Sequence, residues 1–384
     1  MKLAIVLDNN VTKALVAPFE ALAASGAFAG AVVFVGEKNK ADTASITLPK
    51  RLLNHRKEVV AALKGPVRSL KRLRSNAEPR MDFYYNTLRD ELRGFDAVFT
   101  QDVTRSLHTL AALKGELGFK IILRWWEVLP YKRLFSEKDK TIGEAALNKV
   151  DVFVPATMLA REALLLEGVS EGRICQIYPG IDTGAWMPAR GPREAFGVPA
   201  DRFGVLFAGR LVSHKGIYVL LWAALRLKAK GLLNGIVFII AGGGRRDELM
   251  RLSREMGVDG AFVFPGHVPY QKMPELYNAA DIFCLPSTMK ECIQEQFGYV
   301  IMEALSCGLP VAASRVGAIP EVVGPAGLLT TPGDWNGLAD AIESLMMDAK
   351  LRARLGALAR QRAEAVFDVE KLSQKWRGLI ERVA

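Results

Sequence analysis

The stretch from Phe283 to Val323 reads FCLPSTMKECIQEQFGYVIMEALSCGLPVAASRVGAIPEVV, and the fold can be worked out from it. Asp281 to Leu285 is a short apolar run that stops at Pro286, which is typical of a buried strand. Pro310 to Ala313 predicts the next strand, and Cys307-Gly308 predicts the end of the helix between them. The order is therefore strand, long loop, helix, strand, as in an open α/β sheet.

Two glutamates frame the start of this helix. Glu295 lies in the loop, and Glu303 lies on the helix eight positions later. The helix is predicted to begin near Phe297, Gly298 and Tyr299. Backbone N–H groups and the positive end of the helix dipole point out of such a start, which suits an anion such as a diphosphate. A carboxylate on each side would then hold sugar hydroxyls, whereas the alternative is that both glutamates are ordinary solvated residues.

The two glutamates are followed by two further motifs in a fixed order. These are Cys307-Gly308-Leu309-Pro310-Val311 and Gly317-Ala318-Ile319-Pro320-Glu321. The set resembles the signature of the retaining family 4 glycosyltransferases (glycosyl transferases group 1), which have the GT-B fold. The resemblance is strong over residues 150 to 330 and weak elsewhere. It implies that Glu303 holds the ribose of a nucleotide-sugar and Glu295 the transferred sugar.

Length and composition narrow the class of protein. A chain of 384 residues is too long for one typical core, and half of its residues are hydrophobic, so we expect two folded domains. No apolar run reaches the roughly 18 residues that span a bilayer, and the first ten residues predict a strand rather than a signal peptide. We therefore expect a cytoplasmic protein. The four cysteines show no C-x-x-C spacing, which indicates neither a zinc site nor a disulfide framework.

A glycine loop with two cations follows the predicted strand Phe203 to Ala208. The loop Gly209 to Gly216 reads GRLVSHKG and places Arg210 and Lys215 before a helix. Such a loop is a phosphate cradle in physical terms, although it lacks the Walker spacing G-x-x-x-x-G-K-[ST]. It resembles the family element G-R-x-x-x-x-K-G, which implies that both cations bind the donor diphosphate. The alternative is a pair of surface cations.

Two later turns complete the predicted donor site. The next strand ends in Gly242-Gly243-Gly244, and glycine at such a turn lets the backbone approach a ligand, so Gly243 joins Gly209 in the predicted site. A further loop, by the resemblance, frames the nucleotide base through the backbone of His267 and Val268. Because the backbone makes this contact, the side chains do not reveal which base is bound.

The first half of the chain departs from the family at two places. Many members have a Gly-Gly pair in the first loop, where this chain has Asn9-Asn10. The strand Lys120 to Arg124 usually leads to a His and then an acid, whereas here Trp126 occupies the His position and Glu127 matches the acid. Trp125 and Trp126 fit either core packing or a stacking platform for a sugar ring.

The alternation of strands and helices predicts an α/β protein with two doubly wound, parallel-sheet (Rossmann-like) domains that face a cleft. Residues 1–187 form the predicted acceptor-side domain, whose last strand runs from Ile174 to Tyr178. Residues 200–366 form the nucleotide-sugar-binding domain, and the Pro- and Gly-rich stretch 188–199 is the predicted linker. The resemblance implies that a C-terminal helix, residues 367–384, crosses back onto the first domain.

The net charge of +10 is concentrated in one segment. Between Lys50 and Arg80, ten Lys and Arg outnumber two glutamates, which gives this basic segment a charge of +8. Gly65-Pro66 is expected to divide it into two helices, the second with a small apolar face. The segment fits an acidic surface, either the inner membrane face or a phosphorylated acceptor, and the alternative is a solvated face.

The resemblance therefore implies a retaining hexosyl- or related glycosyltransferase of polysaccharide or glycolipid biosynthesis. No D-x-D motif stands where a metal would be needed, so we expect no metal or other cofactor, and the cations and helix start would offset the charge of the leaving diphosphate.

A nucleotide-sugar-binding protein with little turnover is the alternative. Nucleic-acid binding rests on charge alone and shows no known module. The base, the sugar, the acceptor (glycan, lipid-linked or small molecule), the linkage and the oligomeric state stay open.

Overall fold

A computed structural model describes residues 1–7, 13–26, 30–36, 43, 46–53, 85–101, 105–135 and 147–383. The chain divides into two compact units. Unit 1 comprises Met1–Pro155, Ala163–Ile177 and Ser373–Ala384, and unit 2 comprises Ala156–Glu162 and Tyr178–Leu372. Each unit is built on its own parallel sheet, as the alternation of strands and helices predicts.

The elements of the described chain alternate as follows. The strands are β1 Lys2–Leu7, β2 Gly30–Gly36, β3 Lys50–Leu53, β4 Ala97–Gln101, β5 Lys120–Trp125, β6 Val152–Pro155, β7 Phe203–Ala208, β8 Ile236–Ala241, β9 Phe262–Gly266, β10 Ile282–Leu285, β11 Val311–Ser314 and β12 Gly327–Thr330. The helices are α1 Lys13–Ala24, α2 Tyr85–Glu91, α3 Arg105–Leu117, α4 Met158–Leu166, α5 Ile217–Ala229, α6 Arg246–Glu255, α7 Met273–Asn278, α8 Tyr299–Ser306, α9 Ile319–Val323, α10 Trp335–Met347, α11 Ala349–Arg362 and α12 Val369–Val383.

The sheet of unit 1 has the strand order β3-β2-β1-β4-β5-β6, with every pair parallel. This is the order of a doubly wound dinucleotide-binding fold. The central strands are almost wholly apolar because helices cover both faces of such a sheet. Phe19 of α1 packs on Phe99 of β4 and on Trp376 of α12, with ring centroids 4.9 and 4.8 Å apart. The end of α12 is therefore part of the core of unit 1.

The sheet of unit 2 repeats this plan with the order β12-β11-β10-β7-β8-β9. Strands β7 and β10 are direct neighbours and pair in parallel, although about 70 residues separate them in the chain. The chain moves outward across the sheet in one direction after β7 and in the other after β10. Ligands of open α/β sheets bind outside the carboxyl ends of the strands at such a switch point. The loops after β7 and β10 are therefore where a site is expected.

The boundary between the units differs from the predicted one at residues 178–199, which lie in unit 2. Trp186 packs on Tyr277 with ring centroids 5.6 Å apart. Within the predicted linker, the Gly191 N–H donates to the Asn278 carbonyl at 3.1 Å. The Pro- and Gly-rich composition suggested a free connection, but its backbone groups bond to α7 instead.

The predicted strand from Ile174 to Tyr178 is wrong. Ile174 forms only an isolated bridge to Phe153, and the Cys175 N–H donates to the Phe153 carbonyl at 2.9 Å. Strand β6 ends at Pro155, whose nitrogen has no hydrogen to donate. A parallel ladder beside β6 therefore cannot continue past this point.

One arginine joins three segments of unit 2. Nη1 of Arg360 on α11 shares its two N–H groups among the carbonyls of Thr183, Trp186 and Ser306, which lie 3.0, 2.8 and 2.8 Å away. Ser306 lies on α8, and its hydroxyl also donates to the Trp186 carbonyl at 2.5 Å. A single guanidinium therefore satisfies carbonyl groups of α8 and of the segment that precedes residue 187.

No helix within the described ranges is long and apolar enough to cross a bilayer. The predicted basic segment lies outside these ranges, apart from Lys50 to Leu53, which form β3. The predicted helices around Gly65-Pro66 and the Asn9-Asn10 loop also lie outside the described residues.

Replacing Arg360 by methionine should destabilise the protein, because three carbonyl groups lose a charged donor while much of the aliphatic packing is kept. We expect the free energy of unfolding to fall by about 2–3 kcal/mol. Urea denaturation followed by circular dichroism measures this change. Arg354→Met removes an exposed cation six positions earlier on α11 and should cost less than about 0.5 kcal/mol. An equal fall in the unfolding free energy of both variants would contradict the stabilising role of the Arg360 hydrogen bonds.

Candidate functional site

The candidate site in unit 2 begins at the carboxyl end of β7, where two glycine loops touch. Gly209 and Gly242 adopt φ angles of +146° and +136°. A Cβ on Gly242 would lie 1.9 Å from the Gly209 carbonyl oxygen, so only glycine fits there. The Leu211 N–H donates to the Gly243 carbonyl at 2.8 Å. The structure thus brings the predicted residues Gly209 and Gly243 together.

The two predicted cradle cations have different surroundings. The Arg210 side chain is exposed and makes no ion pair or side-chain hydrogen bond with the residues that the structure describes. Lys215 is only 18% exposed, and its Nζ lies 2.6 Å from Oε2 of Glu295. Gly216, with φ +79°, holds the end of this loop against the loop after β10, because a Cβ there would lie 1.9 Å from the Pro286 carbonyl oxygen.

The ion pair of Lys215 and Glu295 connects the two loops at the switch point. The Glu295 carboxylate is 10% exposed and also accepts from Oγ of Ser287 at 3.2 Å. The Glu295 carbonyl accepts from the Ala318 N–H at 2.9 Å, and a Cβ on Gly317 would lie 2.0 Å from that oxygen. This close approach explains the glycine of the G-x-x-P-E turn. Sequence reasoning placed both charged residues in the site but missed their contact and missed Ser287.

Helix α8 begins beside this ion pair. Its first residue is Tyr299, and Gly298, with φ +84°, is the N-cap. Phe297 is buried, and its ring packs against the Tyr299 ring at 5.4 Å, which anchors the start of the helix. The first-turn N–H groups of an α-helix lack acceptors within the helix, so this end suits an anion. The helix therefore begins at the residues that the sequence predicted.

Glu303 lies one turn further along α8 and is 9% exposed. Burial raises the pKa of its carboxyl from 4.5 to about 7, and the hydrogen bond from the Tyr277 hydroxyl, 2.7 Å from Oε2, opposes this rise. Burial and the nearby Glu303 raise the pKa of the Tyr277 phenol well above its usual value, so it stays a donor. Sequence reasoning missed Tyr277, since nothing in its local pattern marks it as a partner of Glu303.

His214 is a further neighbour of the cations that sequence reasoning did not assign to the site. Burial lowers the pKa of its imidazole, and the charges of Lys215 and Arg210 lower it further. His214 is therefore neutral at pH 7. Its carbonyl accepts from the Thr288 N–H at 2.8 Å, which is another bond between the loops after β7 and β10.

The predicted base-binding loop lies beside a cavity of about 490 Å³ at the end of β9. His267 and Val268 line this cavity together with Phe196, Val263 and Lys272. The predicted phosphate and sugar residues do not line it. The structure therefore places the base loop at the rim of unit 2 beside β9, next to a cavity of its own lining.

The two tryptophans of unit 1 are buried at the end of β5. Trp125 and Trp126 are 4% and 8% exposed, and the Arg124 guanidinium lies 4.8 Å from the centroid of the Trp126 ring. These surroundings favour core packing over a platform for a sugar. The Glu127 carboxylate accepts from two following backbone N–H groups and from Nζ of Lys132 at 2.6 Å.

The residues described by the structure contain no group of three or more His, Cys, Asp or Glu that could hold a metal ion. The four cysteines are free thiols, and Cys284 and Cys307 are buried. Burial raises the pKa of both thiols, Cys307 to about 12, so they behave as apolar core side chains.

Comparison with known proteins shows what this chain is similar to. Residues 192–362 match the family model described as glycosyl transferases group 1. The D-inositol 3-phosphate glycosyltransferases of Mycobacterium tuberculosis and Mycobacterium bovis are 32% identical over 244 residues. That match covers 60% of this chain and 48% of each relative, so the chain spans about half the length of the curated relatives it matches.

Solved structures confirm the GT-B fold. The Anabaena protein Alr3699/HepE in complex with UDP superposes with a TM-score of 0.77 at 21% identity, and the match covers 100% of both chains. Sucrose-phosphate synthase from Thermosynechococcus elongatus superposes with a TM-score of 0.76 at 22% identity, covering 100% of this chain and 99% of that one. The predicted fold, an α/β protein with two doubly wound parallel-sheet domains, is thereby confirmed.

The pKa of Glu303 predicts how stability depends on pH. Between 4.5 and about 7 the folded protein holds a proton that the unfolded chain has lost, so the unfolding free energy falls as pH rises through this window. Glu303→Gln removes this loss. The melting temperature of this variant minus that of wild type should therefore increase between about pH 5 and about pH 8. Glu275→Gln, an exposed glutamate on α7, is the matched control, and the same trend in that variant would rule out Glu303 as its source.

Proposed function

We propose that the protein transfers a hexosyl or related glycosyl group from a nucleotide-diphosphate sugar to an acceptor, with retention at the anomeric carbon. The contact between Lys215 and Glu295 carries this proposal, since it joins the glycine loop after β7 to the carboxylate loop before α8. The family match over residues 192–362 supports the class of reaction. Structural neighbours crystallised with UDP and with UDP-glucose support a nucleotide-sugar donor.

In this proposal the donor diphosphate lies between the glycine loop and the start of α8. The exposed Arg210 supplies one cation, and Lys215 supplies another, because its ammonium has donors left for the phosphates beside its bond to Glu295. The positive end of α8 at Gly298 adds fixed partial charge. These groups, rather than a metal or another cofactor, offset the charge of the leaving diphosphate.

The two glutamates bind the sugars of the donor. Glu303 accepts hydrogen bonds from the ribose hydroxyls, and Glu295, held by Lys215 and Ser287, accepts them from the transferred sugar. The backbone at His267 and Val268 frames the base. The bond between the anomeric carbon and the phosphate oxygen breaks and the nucleoside diphosphate leaves with the bonding electrons, while the acceptor oxygen bonds the same carbon and gives its proton to an oxygen of the leaving diphosphate. No side chain of the protein is assigned as a covalent nucleophile.

Lys215→Ala should weaken the binding of a nucleoside diphosphate by about 1.5–3 kcal/mol, the range for a hydrogen bond to a charged group. Calorimetric titration with UDP, GDP and ADP identifies the nucleotide that binds and then measures this loss. Lys230→Ala is the matched control, because Lys230 is ion-paired with Asp340 and Glu343 elsewhere in unit 2. Unchanged affinity in the Lys215 variant, or an equal loss in both, would remove Lys215 from the phosphate site.

Glu295→Gln keeps the size of the side chain but removes its charge. Turnover should fall at least about tenfold while nucleotide affinity is kept, because the contact to the sugar matters most in the transition state. Release of nucleotide from the donor sugar, with and without a panel of acceptors, measures turnover, and product stereochemistry tests retention. A wild-type protein that binds nucleotide-sugars but transfers to no acceptor would favour a binding protein with little turnover.

We further propose that the basic segment Lys50–Arg80 attaches the protein to an acidic membrane face, where a lipid-linked acceptor would lie. The charge of the chain supports this, because unit 1 has 29 Lys and Arg against 20 Asp and Glu, whereas unit 2 has 22 against 21. Each cation near an anionic surface contributes about 1 kcal/mol, so a few of them give useful attachment. We propose no nucleic-acid partner.

Sedimentation with vesicles tests the attachment. Vesicles with acidic lipids should pull the protein down at low salt, and about 1 M salt should release it, because the Debye length then shrinks to about 3 Å. Replacing Arg68, Lys71, Arg72 and Arg74 by Gln should abolish sedimentation without changing nucleotide binding. Equal sedimentation with neutral vesicles would contradict electrostatic attachment.

A further inference from the structure

The hydroxyl of Tyr277 contacts two parts of α8 at once. Tyr277, on α7, is completely buried, and its hydroxyl lies 2.7 Å from Oε2 of Glu303 and 3.2 Å from the carbonyl oxygen of Val300. Both partners are acceptors, and Val300 lies in the first turn of the helix. One phenol proton therefore binds the buried carboxylate beside the helix start that is proposed to hold the diphosphate.

The two oxygens of Glu303 have different environments. Oε2 accepts from Tyr277, whereas Oε1 receives no hydrogen bond from the residues that the structure describes. Because the carboxylate is free to rotate about its last bond, a single strong donor on one oxygen fixes the direction of the other. The open oxygen is the one that remains for the hydroxyl groups of a ligand.

We infer that Tyr277 is a positioning residue, whose hydroxyl holds one oxygen of Glu303 so that the other faces the ribose hydroxyls of the donor. This inference rests on the proposed role of Glu303. It assigns to Tyr277 no contact with the substrate and no step of the reaction.

The ring of Tyr277 is itself held firmly. It packs on Phe283 of β10 and on Trp186, with ring centroids 5.7 and 5.6 Å away. The Trp186 carbonyl accepts from the Ser306 hydroxyl, which lies one turn after Glu303 on α8. The phenol is thus enclosed between the sheet, the aromatic ring of Trp186 and the helix that carries its partner, and its hydroxyl has little freedom to turn elsewhere.

The groups that face Glu303 are nearly all neutral at pH 7. They are the phenols of Tyr270 and Tyr277 and the thiol of Cys307, and the nearest charges are the Arg360 guanidinium, which acts on the thiol, and the Asp182 carboxylate, which acts on Tyr270. Tyr277 is the donor that stabilises the charged form of the carboxyl, which counteracts burial. Without its hydroxyl, Glu303 would be protonated at higher pH and would accept fewer hydrogen bonds from a ligand.

Tyr277→Phe removes this one hydroxyl and tests the inference. The affinity for the nucleoside diphosphate that binds wild type most tightly is measured as a function of pH. At pH 7 we expect the variant to bind about tenfold more weakly. The pH at which affinity reaches half of its maximum, the midpoint, should shift to a higher value. Tyr218→Phe is the matched control, since its hydroxyl donates to Glu248 on α6 rather than to Glu303, and the pH midpoint of its affinity should not change.

A double-mutant cycle separates positioning from general packing. In a Glu303→Gln background, Tyr277→Phe should change affinity by less than about twofold, because its partner is already lost. A tenfold loss that persists there would overturn the inference and mark Tyr277 as a packing residue. If the Tyr277→Phe variant binds as tightly as wild type while Glu303→Gln clearly binds more weakly, the inference about Tyr277 is overturned but the proposed ribose contact is kept. No effect of Glu303→Gln would overturn the proposed ribose contact as well.

A second substitution tests the same hydrogen bond in the opposite direction. Replacing Tyr277 by 3,5-difluorotyrosine makes the phenol a stronger donor with little change in size, so the fold is kept. The midpoint of the affinity profile should then move to lower pH, because the charged carboxylate is favoured. A midpoint that stays at the wild-type value would overturn the inference even if Tyr277→Phe did not fold.

Discussion

The contact between Lys215 and Glu295 is the interaction on which the candidate site depends. The two residues lie 80 positions apart, and they meet because β7 and β10 are neighbours at the switch point of the second sheet. Backbone sterics hold both loops in place, since Gly216 lies against Pro286 and Gly317 lies against the Glu295 carbonyl. A side chain at either glycine would push the loops apart, so the ion pair follows from the topology and from two glycines.

The pKa of the Glu303 carboxyl is set by burial, whereas an opposite charge holds Glu295. A carboxyl with a pKa of about 7 lowers the stability of the folded protein at neutral pH, and such groups concentrate at functional sites. Its neighbours extend outward in a chain of contacts, from Tyr277 to Trp186 and on to Arg360. The Glu303 carboxylate and the segment before residue 187 therefore share one packed network within unit 2.

Much of the fold could be predicted from sequence, and so could the helix start that lies between the two candidate glutamates. Apolar runs bounded by glycine or proline located β7 and β10, and the two glutamates were found because a helix start lies between them. The pairing of Lys215 with Glu295, and the bond from Tyr277 to Glu303, depend on the packing of elements that are distant in the chain, which local patterns do not specify. The predicted strand at Ile174 failed for a related reason, since its partner strand ends at a proline.

A crystal structure with a bound nucleoside diphosphate tests most directly whether unit 2 holds the donor at its switch point. We expect phosphate oxygens within hydrogen-bonding distance of Arg210 and Lys215, and ribose hydroxyls on Glu303. A nucleotide bound instead at the amino ends of the strands, in the cleft lined by Arg202 and Lys228, would contradict this assignment.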